Sequence, residues 1–193
     1  THRIRRQAPD VREVADAAAL LRTAKRPVII AGGGVQYSQA TGETRAFAEA
    51  HNIPVVETIA GRANLMFEHE LNCGPVGVTG SNSANNLIAE ADVVLAVGTR
   101  LQDFTTGSWT AFSRDARIIS INVGRFDASK HLSLAVVGDA KLSLSLLTGA
   151  LGIYESPATW TVKAKRERKA WNAYVDDNVR PTDHKGANRP MSY

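Results

Sequence analysis

The residues best placed to do chemistry are glycines in four short loops, at 31–34, 77–81, 98–100 and 138–139. In an open parallel sheet, such loops collect at the carboxyl ends of the strands, where backbone N–H groups attract anions. Glycine lets the backbone approach a phosphate closely, and Arg100 can add a charge-assisted contact. The four loops therefore predict a site for a nucleotide or another anion.

These glycines also have a purely structural interpretation, because a strand that turns sharply into a helix requires glycine as well. The run at 32–34 does not continue as a dinucleotide-binding fingerprint, since Gln36 and Tyr37 replace its third glycine. Both interpretations stay open at this point. The candidate cofactor-binding residues are Gly32, Gly33, Gly34, Thr79, Gly98, Thr99 and Arg100.

The other reactive side chains do not form a catalytic or metal-binding set. The five histidines lack the spacing of metal ligands. Cys73 has no adjacent base, which favours a small packed side chain over a nucleophile. No serine lies in a GxSxG sequence, and Asp103 and Asp127 have no paired carboxylate nearby. We predict no catalytic residue and no metal ligand in this chain.

Apolar runs alternate with helical patterns over residues 10–152. Strands are predicted near 28–31, 53–57, 93–97 and 118–122, with a shorter one near 135–137. Runs that are apolar on both faces are typical of parallel strands covered by helices from both sides. The alternation predicts an α/β fold with a doubly wound, mainly parallel, Rossmann-like sheet.

Helices are predicted over 11–24 and 40–51, and two more begin after Ser81 and Asp139, whose side chains can cap them. In the last of these helices we expect Leu142, Leu146 and Leu147 to face inward.

The chain is predicted to divide after residue 154. Residues 1–154 form a central α/β domain, and residues 155–193 form a basic helix followed by a polar, proline-containing linker. We expect Trp160 and Trp171 of the helix to pack back onto the domain or onto a neighbouring copy of the chain.

Charge distribution argues against a nucleic-acid partner. The net charge is +4, but residues 27–154 carry eight Lys/Arg and eleven Asp/Glu, so the basic excess lies in the terminal stretches. A nucleic-acid binder would instead concentrate positive charge on a folded face. No apolar run is long enough to cross a membrane, and the N-terminal stretch lacks the apolar segment of a signal peptide. With a single cysteine, these features predict a cytoplasmic protein.

Several longer strings resemble the central domain of thiamine-diphosphate enzymes. They are KRPVIIAGGGV, FAEAHNIPVVET, GVTGSNSANNLIAEAD, GTRLQDFTTGSW, and INVGRFDASKH followed by VVGDAK. The resemblance covers roughly residues 3–193. GTRLQDFTTGSW, at 98–109, is the most specific string and is similar to the family's members from inositol catabolism.

The resemblance implies a parent enzyme that hydrolyses a cyclic 1,2-diketone by carbon–carbon cleavage, with thiamine diphosphate and magnesium as cofactors. It also implies flanking N- and C-terminal domains that hold those cofactors, and a parent that is a homo-oligomer. The diphosphate–magnesium motif GDG…NN is missing, since Gly138-Asp139-Ala140 lacks its second glycine and Asn85-Asn86 precedes it. We therefore expect this chain alone to bind neither cofactor and to be inactive.

Some members of the family bind FAD or ADP in the central domain, whereas in others the domain is a structural spacer. Acetolactate-type relatives read closer to GxRFDDR where this chain has GTRLQDF. This departure disfavours flavin and favours the spacer, with a nucleotide-binding domain as the alternative.

Overall fold

The computed structural model describes residues 5–178, in which six strands alternate with helices. The strands are β1 Pro27–Ala31, β2 Val55–Glu57, β3 Asn72–Pro75, β4 Val93–Val97, β5 Arg117–Asn122 and β6 Leu134–Val137. The helices are α1 Val11–Arg22, α2 Gly33–Tyr37, α3 Thr41–His51, α4 Asn82–Glu90, α5 Asp103–Thr106, α6 Arg125–Ala128, α7 Ala140–Leu151 and α8 Ala158–Asn178. Short 3-10 turns lie at Ile59–Gly61 and Lys130–Leu132.

The strands form one sheet in the order β3-β2-β1-β4-β5-β6, and every neighbouring pair is parallel. The chain winds outward in one direction from β1 to β3, then returns to the centre and winds outward in the other direction from β4 to β6. The central pair is in register from Pro27 opposite Val93 to Ala31 opposite Val97. This topology confirms the predicted doubly wound, parallel α/β fold.

The two central strands are buried along their whole length. Successive side chains of a strand point to opposite faces, so each strand contributes to two cores. Ile29 and Leu95 join the core under α1, α3 and α7, whereas Val28 and Val94 join the core under α4 and α8. Burying a large aliphatic side chain contributes about 1.5–3 kcal/mol. Burial on both faces is the reason that these strands are continuous apolar runs.

One strand was missing from the prediction. β3 pairs with β2 at the edge of the sheet, through Asn72 opposite Val55 and Pro75 opposite Glu57, with a shift of register between them. Its sequence, NCGP, contains no apolar run, and its second half is only partly buried. An edge position tolerates the proline, because one side of the strand needs no ladder hydrogen bond. Hydrophobic periodicity therefore gave no signal for β3.

Both predicted helix caps are confirmed. The hydroxyl of Ser81 accepts a hydrogen bond from the Ala84 N–H at 3.2 Å. The carboxylate of Asp139 accepts one from the Lys141 N–H at 3.0 Å. Each cap satisfies an N–H group that the first turn of its helix leaves without a partner.

The predicted inward face of α7 is partly wrong. Leu147 is buried as expected, but Leu146 is exposed, Leu142 is only half-buried, and Leu144 lies in the core instead. The helix packs against both α1 and α3, so its buried side follows Leu144, Leu147 and Leu151 at spacings of three and four residues. The leucine-rich sequence of α7 offered several such stripes, and packing selected one.

The basic helix α8 is docked on the domain by Trp160. This side chain is 3% exposed, and its indole N–H donates to the Pro27 carbonyl at 2.8 Å. Trp171 is half-buried and stacks on Tyr174 of the same helix, at 5.4 Å between ring centroids. The expected packing is confirmed for Trp160, while the ring contact of Trp171 lies within α8. The predicted linker falls mainly at 179–193, outside the described residues, and the division after residue 154 stays a prediction.

No helix between residues 5 and 178 combines the length and the apolarity that a membrane span requires.

We expect Trp160→Ala to lower the free energy of unfolding by about 3–5 kcal/mol, because it removes a buried aromatic side chain and leaves a cavity under α8. Trp171→Ala is the matched control and should cost much less, since Trp171 is only half-buried. Urea denaturation of the two variants measures the difference. Equal losses would contradict the anchoring role of Trp160.

Candidate functional site

A cavity of about 720 Å³ lies at the carboxyl edge of the sheet. Its lining comes from residues at or after the carboxyl ends of all six strands, together with Arg5 from the start of the described chain. The cavity lies over the boundary between β1 and β4, where the direction of winding reverses. In doubly wound sheets this is the place where ligands bind.

Five of the seven predicted site residues line this cavity. They are Gly33, Gly34, Gly98, Thr99 and Arg100.

The other two predicted residues lie elsewhere. Gly32 is buried beneath the loop, and Thr79 is exposed and outside the lining. On that side of the cavity, Val76 and Phe104 take the place expected for Thr79. The Phe104 carbonyl accepts a hydrogen bond from the Val78 N–H at 3.0 Å, which joins the 77–81 loop to the loop after β4.

The glycines of the first and third loops pack backbone against backbone. A Cβ atom on Gly32 would lie 2.4 Å from the Gly98 carbonyl oxygen, and one on Gly34 would lie 2.6 Å from the Gly98 Cα. Gly98 has a φ of 60°, in the left-handed region that favours glycine. The fold therefore requires these glycines whether or not a ligand binds.

The same packing uses backbone donors that a phosphate would need. The Gly34 N–H donates to the Gly98 carbonyl at 2.8 Å, and the Gly98 N–H donates to the Ile121 carbonyl at 2.9 Å. Since both groups are already satisfied, neither can donate to an anion without losing its partner. This arrangement favours the structural interpretation of the glycines.

A buried carboxylate holds the wall of the cavity that follows β2. Glu57 is 2% exposed, and its Oε1 accepts a hydrogen bond from the Leu65 N–H at 2.9 Å. Arg62 Nε lies 4.0 Å from its other oxygen. Burial raises the pKa of Glu57, and the N–H of Leu65 and the charge of Arg62 oppose that rise. The carboxylate thereby fixes the 62–65 turn directly behind the cavity wall.

The two carboxylates that line the cavity, Asp127 and Asp139, are paired within the protein. Arg6 Nη1 lies 2.9 Å from Asp139 Oδ2, and Lys130 Nζ lies 2.6 Å from Asp127 Oδ1. Arg100 is exposed and donates to Gln102 Oε1 at 3.2 Å. Within residues 5–178, no carboxylate forms an ion pair with Arg100. Its guanidinium is thus a cation that an anionic ligand could approach.

Sequence reasoning missed a large part of the lining. Among the missed residues are Thr58, Ile59, Ala60, Phe104, Asn122, Val123 and Gly124. Each of them lies at or after the carboxyl end of a predicted strand, so strand-end position was the signal that could have found them. Glycine content drew attention to other positions.

The remaining reactive side chains have structural surroundings. Cys73 is 1% exposed, and burial raises the pKa of its thiol to about 12, which disfavours the thiolate needed for nucleophilic attack. His51 is buried, with Nδ1 at 2.7 Å from the Tyr154 carbonyl. His69 Nε2 contacts the Glu49 carboxylate at 2.9 Å. Across the described part of the chain, no cluster of three His, Cys, Asp or Glu residues could hold a metal ion.

Comparison with known proteins identifies a family. The model of the family described as the central domain of thiamine pyrophosphate enzymes matches residues 14–147.

Three curated relatives share the name 3D-(3,5/4)-trihydroxycyclohexane-1,2-dione hydrolase. The protein of Geobacillus thermodenitrificans is 44% identical over 175 residues, which cover 91% of this chain and 27% of that protein. The Bacillus subtilis protein is 43% identical over 86% of this chain and 28% of its own length. The Listeria monocytogenes serotype 4b protein is 45% identical over 80% and 24%. The chain thus spans about a quarter of the length of these relatives.

We expect Gly98→Ala to destabilise the chain for two reasons. A left-handed backbone costs an L-residue roughly 1–2 kcal/mol, and the new Cβ would also collide with Gly34, so the total loss should exceed that figure. Gly149→Ala is the control, since a Cβ there meets nothing within 4 Å. In the helical setting of α7 it should stabilise by about 0.5–1 kcal/mol. Thermal unfolding compares the two, and similar effects would argue against the close packing.

We expect Glu57→Gln to change how stability depends on pH. A raised pKa means that the folded chain holds the Glu57 proton more tightly than the unfolded chain. The stability that this proton contributes to the fold is therefore fully present below the pKa of Glu57 in the unfolded chain. It is lost as the pH rises through the pKa of Glu57 in the folded chain. Relative to Glu57→Gln, which keeps an acceptor for the Leu65 N–H, the native chain should lose stability as the pH rises above about 4.5.

The measurement for Glu57 is urea denaturation at a series of pH values, with the exposed Glu68→Gln as the control. A difference between native chain and Glu57→Gln that is constant with pH, or that grows in favour of the native chain, would contradict the expected direction.

Proposed function

The chain belongs to the family of thiamine pyrophosphate enzyme central domains, and we propose that it is the structural central domain of a hydrolase that cleaves a carbon–carbon bond of trihydroxycyclohexane-1,2-dione in myo-inositol catabolism. The observation that carries the proposal is the identity of about 40–45% to relatives that bear the hydrolase's name, over most of this chain. The coverage of about a quarter of each relative supports a longer parent, in which further domains flank this one.

Thiamine diphosphate and magnesium would be held by the flanking domains of the parent. Within residues 5–178, no three His, Cys, Asp or Glu side chains lie close enough together to hold a metal ion such as Mg²⁺, which prefers oxygen ligands. Asp139, the carboxylate nearest to a glycine loop, accepts from the first N–H groups of α7 and pairs with Arg6. The described residues therefore do not fit these cofactors, and the chemistry of carbon–carbon cleavage would take place outside this chain.

In this proposal the domain contributes rigidity. The glycine loops are locked to each other by backbone contacts, and Cys73 and His51 are buried. None of these groups offers a nucleophile or a general base to a bound diketone. The parent is proposed to be a cytoplasmic homo-oligomer, in line with the family resemblance and with a single cysteine.

We expect the 193-residue chain, mixed with thiamine diphosphate, Mg²⁺ and the trihydroxycyclohexanedione, to form product no faster than a control without protein. The full-length parent under the same conditions should turn the substrate over, and omission of thiamine diphosphate should abolish its activity. A product assay over time decides both points. Saturable, cofactor-dependent turnover by the chain alone would place an active site within it, and an inactive parent would remove the proposed substrate.

A second candidate function is a nucleotide-binding central domain that takes ADP or FAD. The observation that favours it is the cavity itself, whose volume lies in the range of small-molecule sites and whose lining includes Arg100 without an acidic partner among residues 5–178. The glycine N–H groups that are already hydrogen-bonded argue for the structural role. Arg100 would then be the main charge-assisted contact to a diphosphate.

Calorimetric titration of the chain with ADP and with FAD tests this second candidate. If a nucleotide binds, Arg100→Ala should weaken its binding about tenfold or more, because a hydrogen bond to a charged group contributes about 1.5–3 kcal/mol. Arg114→Ala is the control, since Arg114 is exposed and lies outside the cavity lining. No heat with either nucleotide at millimolar concentration would exclude the second candidate and leave the first unaffected.

A further inference from the structure

The N-terminal end of the described chain lies at the mouth of the cavity. Arg5 is part of the lining, and Arg6 Nη1 donates to the Ser38 carbonyl, just beyond α2. The Asp139 N–H donates to the Gln7 carbonyl at 2.8 Å, which ties the same segment to the loop after β6. The chain therefore enters this domain across the carboxyl edge of the sheet.

The C-terminal helix runs toward the same edge, but on the outside of the domain. It begins at the amino edge, where Trp160 contacts the first residue of β1. Lys163 then pairs with Glu90 at the end of α4, and Glu167 accepts from Asn86 one turn earlier. α8 is thus antiparallel to α4, and beyond its start at β1 it lies beside the edge strand β3.

Large apolar side chains are exposed around the cavity, and we call this set the apolar rim. Its members are Tyr37, Ile59, Val78, Phe104, Val123 and Phe126. Each follows the carboxyl end of one of the strands β1 to β5, and their exposed fractions run from 47% to 86%. Four of them also line the cavity. Exposed apolar side chains that converge on one edge mark an interaction surface, whereas isolated ones do not.

The apolar rim surrounds the point where the chain enters. Tyr37 lies on α2, next to the Ser38 carbonyl that Arg6 contacts, and Val123 lies in the same lining as Arg5. Phe126 lies on α6, whose Arg125 reaches Glu13 of α1 at 3.3 Å, only a few residues after the entry segment. Arg5, where the described chain begins, lies among these side chains, whereas the contacts of α8 as far as Arg168 lie beside α4 and the 67–70 segment.

We propose that the apolar rim is the docking surface for the part of the parent polypeptide that precedes Thr1. In the full-length enzyme, this preceding part covers the mouth of the cavity. This inference rests on one part of the proposed function, namely that the parent polypeptide is longer than this chain. The docked segment is expected to present an apolar surface to the rim, because the side chains of the rim carry few polar groups.

The test uses the full-length parent with the photo-crosslinking residue p-benzoylphenylalanine placed at Phe104 or at Phe126. Both side chains are exposed, so the replacement leaves the core intact. Ile153 is the matched control position, since it is fully exposed and follows α7 at the amino edge. Irradiated enzyme is digested, and the cross-linked peptides are identified by mass spectrometry. A mixture of unlabelled and ¹⁵N-labelled parent separates links within one chain from links between copies.

The expected result is cross-linking from positions 104 and 126 to peptides that precede Thr1 in the same chain, with at least a tenfold lower yield of such links from position 153. Links mainly to peptides that follow Tyr193, links mainly between differently labelled copies, or no links would each overturn the proposal. Turnover of the trihydroxycyclohexanedione is measured on the same preparation. An inactive but cross-linked parent would remove the proposed substrate and keep the docking surface, so the two failures are distinguishable.

Discussion

The backbone of the loop after β1 lies directly against the backbone of the loop after β4, and the rest of the carboxyl edge is arranged around this contact. Cβ atoms on Gly32 or Gly34 would come within 2.4–2.6 Å of Gly98, a separation that side chains do not tolerate. The contact occurs at the point where the two halves of the sheet diverge, so it sets how closely the first and second halves approach. The wall of the cavity that follows β2 also packs backbone against backbone, since a Cβ on Gly61 would lie 2.1 Å from the Ala31 carbonyl oxygen.

This close packing accounts for both the presence of a cavity and its chemical character. The loops turn away from one another only beyond their contact points, which leaves an open volume above β1 and β4. Several backbone groups at the base of that volume are hydrogen-bonded within the protein. The Gly34 N–H donates to the Gly98 carbonyl, and the Gly32 carbonyl accepts from the Asn64 side-chain amide at 3.0 Å. The cavity is lined by apolar side chains, such as Ile59 and Phe104, together with hydroxyl and amide side chains and four charged residues. Such a surface suits contact with another part of a protein at least as well as it suits a phosphate.

Both ends of the described chain are fixed to the body of the domain. The entry segment crosses the cavity edge and is tied to it through Arg6 and Asp139, while α8 is attached along the outer side of the sheet by Trp160. In the proposed parent enzyme, a domain fixed at both ends would act as a rigid spacer between its neighbours. A spacer requires loops that keep a fixed position. The backbone contacts among Gly32, Gly34 and Gly98 hold the loops in place, and they involve no catalytic group.

Sequence alone determined the fold class, because a parallel strand buried on both faces has to be a continuous apolar run, and β1 and β4 are such runs. It also determined the helix caps at Ser81 and Asp139 and, through strings such as GTRLQDFTTGSW, the family. Only the tertiary structure decided that β3 exists, that Thr79 lies outside the cavity while Phe104 lines it, and that the N–H of Gly34 is already bonded. The reason is that periodicity and capping act over a few residues, whereas the cavity is made where segments from Arg5 to Ala140 meet across six strands. A glycine that approaches a phosphate and a glycine that approaches another backbone are the same in sequence, and only the position of the distant partner distinguishes them.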